Sequence, residues 1–175
     1  MTDLELFNIT LSIFDREITQ EDLDSLTPIK EVRLCKRYLS LSKLKVLREF
    51  DWSFLIEKLQ IELSERGSYK GFLYGFTLPE GLLKVVQVNT DYPYQIIGNT
   101  FYTDVDNPIL FGIMEDFKED YAPKDFYELI AYALAYQIAP LLAPEGRFDQ
   151  IVLQKYTWAL NGLISAECHN NSKEN

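Results

Sequence analysis

The chain has 175 residues, 47% of them hydrophobic and 14% aromatic, enough apolar side chain to bury one sizeable core. Its 17 basic against 27 acidic side chains give a formal charge of -10, and a net field of that sign draws the molecule neither to phosphate nor to an anionic membrane. The start Met1-Thr2-Asp3 carries no signal arrangement and no apolar run reaches the ~18 residues of a membrane span, so the expectation is a soluble protein made in a cytoplasm.

Thr2 followed by Glu5 is a capping-box signature, and Leu4, Phe7, Leu11 and Phe14 recur at helical spacing, predicting a first helix to about residue 16. Thr19 with Asp22 repeats the start signal for a short helix ending near residue 26, and Thr27-Pro28 supplies a cap and a first-turn proline for a third. That third helix, about 28–50, has two faces. Val32, Cys35, Leu39, Val46 and Phe50 keep a 3.6-residue period and are expected in the core. Opposite them lie Lys30, Arg33, Arg37 and Arg48, interleaved with Leu34, Leu41 and Leu44.

From residue 54 the rhythm changes to period two. Leu59, Ile61 and Leu63 alternate with Lys58, Gln60 and Glu62, which predicts a half-buried strand. Pro79-Glu80-Gly81 reads as a turn into a second strand, 82–88, rich in β-branched residues. Residues 94–103 read as a hairpin: Gly98-Asn99 supplies two positive-φ positions, and two-residue closure pairs Ile97 with Thr100 and Ile96 with Phe101. Another strand, 109–114, follows Asn107-Pro108. Pro123 restarts helix, and 129–144 is apolar nearly all round, as suits a helix in the middle of a bundle. A last helix, 148–167, has Ile151, Tyr156 and Leu160 as expected contacts, and the polar segment 169–175 is expected to be disordered.

Little supports catalysis. His169 is the only histidine and falls in the polar tail, whereas acid-base chemistry needs a side chain held within ~3 Å of its substrate proton. Cys35 lies on the core face of helix three and Cys168 near the terminus, neither in the electropositive setting of a reactive thiolate, and two thiols so far apart read as reduced. Asp104 with Asp106, and Glu115-Asp116 with Glu119-Asp120, offer oxygen ligands for calcium or magnesium, but at spacings that match no known loop. Tyr69, Tyr74, Tyr92 and Tyr102 are candidate stacking platforms for single-stranded nucleic acid, or cross-strand packing residues. Helix three concentrates seven of the 17 basic residues, Lys30, Arg33, Lys36, Arg37, Lys43, Lys45 and Arg48. Three readings stand for that face: plain solvated surface, a subunit contact in which leucines and arginines are desolvated together, or a nucleic-acid face.

Taken in order, a helix ending in Trp52 and Phe54, an aromatic turn of Tyr74, Phe76, Leu78 and Pro79, a valine strand of Val85, Val86 and Val88, the hairpin around Gly98 and the helix 126–142 form a pattern. It resembles the head-to-tail adaptors of short-tailed phages, the tail tubular protein A family, over about 29–160. The resemblance implies an α+β fold: a helical bundle, with three N-terminal and two long C-terminal helices, carrying a small antiparallel β domain. It is one adaptor-like domain over 1–168, made of 1–53, 54–118 and 122–168, with the tail 169–175. It further implies a virion structural protein without catalysis, cofactor or metal, forming a dodecameric ring between the portal and a downstream tail or nozzle protein. Genomic DNA would pass through without sequence-specific binding. Portal docking then falls to the C-terminal segment, with Tyr156, Leu160, Ile164 and His169 as candidates. Subunit contacts fall to Arg33, Arg37, Leu41, Leu44 and Arg48 meeting the acidic Glu115, Asp116 and Glu119 of a neighbour. The competing classes are a non-viral α+β enzyme or metal-binding protein, and a nucleic-acid or regulatory binding module.

Overall fold

The computed structural model describes residues 1–69, 71–117 and 122–171. The fold is α+β, with five α-helices and two antiparallel sheets among the described residues. The chain divides into two compact units, a helical one of Met1–Phe50 with Ala122–Asn175, and a β unit of Asp51–Tyr121.

In the helical unit, α1 (Asp3–Ser12) and α2 (Gln20–Asp24) both begin with the expected capping boxes, Thr2 with Glu5 and Thr19 with Asp22. These reciprocal bonds occupy amide donors that a helix start otherwise leaves open, and they hold the Glu5 and Asp22 carboxyls below their usual range. Helix α1 stops earlier than residue 16. Asp15 takes a left-handed φ of 56°. Its amide donates to Ser12 O (3.2 Å) and that of Arg16 to Leu11 O (3.2 Å), closing the helix by a Schellman pair of bonds without the usual glycine. The chain then folds back over α1, where the Asn8 side chain clasps one residue: Nδ2 donates to Ile18 O (2.9 Å) and Ile18 N–H donates to Oδ1 (2.8 Å).

Helix α3 spans Lys30–Glu49 and starts two residues later than the Thr27-Pro28 signal implies, with Ile29 as N-cap and no side-chain cap bond. Thr27 instead sits in a local turn before the helix, its amide donating to Ser25 Oγ (3.2 Å). Val32, Cys35 and Val46 are fully buried as expected, joined by Ser42 and Leu47, while Leu39 and Phe50 are half-buried.

Helix α4 (Lys124–Leu142) is the axis of the unit, against which α1, α3 and α5 (Asp149–Asn171) pack. Phe126, Leu129, Ile130, Leu134 and Ile138 are wholly buried, each contributing about 1.5–3 kcal/mol. Small residues at Ala131 and Ala135 bring neighbours close, so that Thr10 Oγ on α1 reaches Ala131 O at 3.1 Å. Helix α5 buries Val152, Tyr156 and Leu163, with Leu160 half-buried, whereas Ile151 is 43% exposed. The apolar run Ile151-Val152-Leu153 gives no hint of which phase faces inward. The helix also continues through His169 to Asn171, into the segment expected to be disordered; residues 172–175 lie outside the described chain.

In the β unit a 3-10 turn (Ser53–Leu55) leads to β1 (Glu57–Lys58), β2 (Glu62–Tyr69), β3 (Phe72–Thr77), β4 (Leu82–Asn89), β5 (Tyr94–Ile97), β6 (Thr100–Thr103) and β7 (Ile109–Met114). Two sheets form, in the orders β1-β7-β4 and β2-β3-β6-β5. The strand expected over 59–63 is divided between them. Leu59 ends its first part in the core, its amide donating to Leu110 O (2.9 Å), and the chain crosses to the other sheet before Glu62. The aromatic segment Tyr74–Thr77 is strand, not turn, paired with β6 on one side and with the polar β2 on the other. The strands 82–88 and 109–114 stand as expected, as does the hairpin register Ile97↔Thr100 and Ile96↔Phe101. Its turn has one positive-φ residue, Gly98 at 59°, which is a II′ pattern. Asn99 serves instead as a tie to Leu78, its Nδ2 donating to Leu78 O (3.0 Å) while Leu78 N–H donates to its carbonyl (2.9 Å). Leu59, Phe76, Leu78, Phe101 and Leu110 form the core between the sheets. The close approach of β7 to β4 requires glycine at 112, where a Cβ would meet Lys84 O at 2.6 Å.

Candidate functional site

Arg33, Arg37, Leu41 and Arg48 line one exposed flank of α3, with Leu34 and Leu44 half-buried beside them. Their three- and four-residue spacing stacks them one turn above another, so charge and apolar surface alternate along a single stripe. The helix carries seven basic side chains against two acidic ones, in a chain whose overall sign is opposite.

The ammonium groups on this helix do not all face solvent. Lys30 Nζ donates to Leu141 O at 2.6 Å, and Lys36 Nζ to Leu23 O at 2.8 Å. Both acceptors lie in the last turns of other helices, α4 and α2, where carbonyls lack an internal partner and a cation is favoured. Lys45 is held over two stacked rings, its Nζ 4.7 Å from the Tyr136 centroid and 4.8 Å from that of Tyr156. Tyr156 hydroxyl in turn donates to Glu49 Oε1 (3.0 Å), and burial together with that carboxylate raises the phenol pKa above its ordinary value. Lysines 30, 36 and 45 thus join helices, while Arg33, Arg37 and Arg48 reach outward. Arg37 stacks over its neighbour Tyr38 at 5.8 Å.

A depression of about 400 Å³ opens on this flank between Leu41, Leu44, Lys45, Arg48, Glu49 and Gln137. A second, also of about 400 Å³ and more apolar, lies between α4 and α5 where Tyr136, Pro140, Val152 and Leu153 meet. Sequence reasoning missed the exposure of Tyr136 and Leu153 on its lining, and of Leu141, Ile151 and Trp158, the last 75% exposed on α5. An apolar side chain in an amphipathic pattern reads as core by default, and only the packing shows which helix face stays unpaired.

Among the residues assigned to portal docking, Tyr156 is committed to the bundle interior, Leu160 and Ile164 are half-buried, and His169 is exposed in the last turn of α5. On the acidic side, Glu115 and Asp116 follow β7 and are exposed, with the Glu115 amide anchored to Gly81 O (2.7 Å). Glu119 and Asp120 lie outside the described residues, as does the side chain of Tyr69. Of the other strand tyrosines, Tyr92 is exposed, Tyr74 is half-buried and Tyr102 is buried, its ring over Gly75 where a Cβ would meet it at 3.0 Å. Tyr102 therefore belongs to packing and is no stacking platform.

Cys35 is buried on α3, where desolvation first and Glu31 second push its thiol up to about 12. It stays protonated and inert at neutral pH. Among the described residues no three His, Cys, Asp or Glu side chains converge as a metal site, and no helix is long and apolar enough to cross a membrane. Searches among protein-family models and among curated proteins find no match to the chain.

Proposed function

We propose that the chain is a structural subunit of a virion, a head-to-tail adaptor that assembles as a ring between portal and tail and lines part of the DNA conduit, without catalysis. The observation that carries the reading is the outward stripe of Arg33, Arg37, Leu41 and Arg48 on α3 in a strongly acidic chain. A stripe of guanidinium and leucine suits desolvation against an acidic protein surface, since arginine is enriched and lysine depleted at such contacts. The exposed Glu115 and Asp116 of a neighbouring copy offer that surface, and a joint between two different patches closes into a ring when the rotation per subunit allows it. The acidic balance suits a conduit as well, because duplex DNA, with one negative charge per ~1.7 Å of axis, slides past a lining it does not bind.

Mass photometry and negative-stain imaging of the protein, alone and mixed with its cognate portal protein, test the reading. Ring-shaped particles are expected at least in the mixture, and the double reversal Arg33→Glu with Arg37→Glu should abolish them while leaving the circular dichroism spectrum unchanged. A chain that remains monomeric in both samples and does not bind portal overturns the proposal. So does a gel shift with random-sequence DNA at physiological salt, which would make the stripe a phosphate-binding face.

A further inference from the structure

We infer that the two edges of the four-stranded sheet, neither of which has a further strand beside it among the described residues, are complementary halves of one joint, so that β5 of one copy adds to β2 of the next. The strand order β2-β3-β6-β5 leaves β2 and β5 at opposite ends. Every pairing between them is antiparallel, so the two edge strands run in opposite directions, and laying β5 beside β2 of a second copy continues the alternation without reversing either chain.

The hydrogen-bonding phase of the edges also matches. In a two-residue hairpin the pair flanking the turn, here Ile97 with Thr100, exchanges both bonds, and the bonds then alternate. Ile96, opposite Phe101, therefore turns its own N–H and C=O away from β6 toward the open edge. Carrying that alternation across the sheet makes Phe101 and Phe76 a bonded pair and Phe76 and Leu63 a non-bonded one. The same phase gives the bond from Leu78 N–H to Asn99 O, two residues along. Leu63 on β2 consequently presents its backbone groups outward as Ile96 does on β5.

The side chains tell the same story. Leu63, Phe76, Phe101 and Ile96 form one row on one face of the sheet. The two inner members are buried, at 5% and 0% exposed, while the two ends are left at 41% and 42%. A hydrophobic row cut at both ends to the same degree is completed when Ile96 of one copy lies opposite Leu63 of another. That register places Ile97 opposite Glu62 at a non-bonded position, where cross-strand Cβ atoms come closest. The joint uses two different edges, so it propagates head to tail and builds a ring or a filament, not a closed pair. The paired stretch is short, because β5 has only 4 residues and β2 shifts register after Leu63, its second residue. The association is accordingly weak for a single joint and rises steeply when many joints close together.

The inference names a joint of the proposed ring and rests on that reading for its closure, and cysteine pairing separates the two. In a Cys168→Ser background, Ile97→Cys and Glu62→Cys variants are purified separately, then oxidised mildly alone and as a mixture at high protein concentration, with wild-type protein sedimented in parallel. A disulfide-linked dimer is expected in the mixture and not in either variant alone, and a chain carrying both cysteines should give a ladder of linked species. Efficient dimerisation of the Ile97→Cys variant alone means that β5 meets β5, and overturns the inference. No linkage in the mixture while the wild type sediments as an oligomer overturns this joint and leaves the ring to another surface. No linkage with a monomeric wild type overturns this joint for the isolated protein and leaves the ring to be decided by the mixture with portal. As a second measure, Ile96→Lys at this half-exposed edge position should lower the association of wild type with an unchanged thermal midpoint, and retained association overturns the joint.

Discussion

The Asn8 clasp on Ile18 gives a stability prediction whose size follows from counting partners. One amide side chain satisfies both the N–H and the C=O of a residue that is 2% exposed, at 2.8 and 2.9 Å. Asn8→Ala removes both bonds and leaves a buried donor and a buried acceptor without a partner, at ~1–3 kcal/mol for each such group. Asn8 itself is only half-buried and water can reach part of the site, so the lower half of the range applies and the total is about 2–4 kcal/mol. Asn8→Asp discriminates further. At neutral pH its carboxylate still accepts from Ile18 N–H but turns a second acceptor toward Ile18 O, an unfavourable contact that raises the folded-state pKa of the new acid. Protonation restores a donor. The stability attached to that donor is fully present below the unfolded value of ~3.9 and is lost as pH rises through the higher folded value. Urea unfolding followed by far-ultraviolet circular dichroism, run on wild type and both variants between pH 4.5 and 7.5, measures each effect. The Asn8→Ala midpoint should fall clearly, and the gap between Asn8→Asp and wild type should narrow toward the acid end. An Asn8→Ala variant within 0.5 kcal/mol of wild type, roughly the size of an ordinary surface substitution, or a gap that widens in acid, would refute the reasoning.

Two glycines should respond in opposite degrees. Gly112→Ala drives a Cβ to 2.6 Å from the Lys84 carbonyl and should cost about 3 kcal/mol or more, whereas Gly98→Ala meets open space and should cost only the backbone strain of its positive φ, about 1–2 kcal/mol, both read from urea midpoints of the β unit. Thiol titration with Ellman's reagent at pH 8 should find one fast group, Cys168, and one that reacts only on unfolding, Cys35, because burial has pushed its ionisation to about 12. Equal reactivity of the two would contradict the packing of α3.

Local signals were legible wherever a few neighbouring side chains decide the backbone. Thr2 with Glu5 and Thr19 with Asp22 need only each other, and Gly98 between two β-rich runs sets its own hairpin register. Signals failed where a distant partner decides. The alternation of Leu59, Ile61 and Leu63 is real, yet its first part pairs with β7 and its second with β3, and nothing local marks the crossing. Strand β2, with the sequence ELSERGSY, has too few apolar residues to announce itself and exists because β3 lies beside it. The α3 stripe was readable as a pattern, but the division of its cations was not. That Lys30 and Lys36 close the ends of other helices depends on where residues 141 and 23 arrive in space.

The interruption of the helical unit has a consequence for its biosynthesis. Phe7, Leu11, Val32 and Val46 emerge from the ribosome long before α4, the helix they pack around. The intervening Asp51–Tyr121 takes about 4–14 s to translate at ~5–20 residues per second. That interval is ample for an uninterrupted β unit to fold by itself, while the nascent amino-terminal helices hold a sticky, unfinished face. Chaperone engagement during synthesis should therefore peak after the first fifty residues are exposed and fall away once α4 has cleared the exit tunnel.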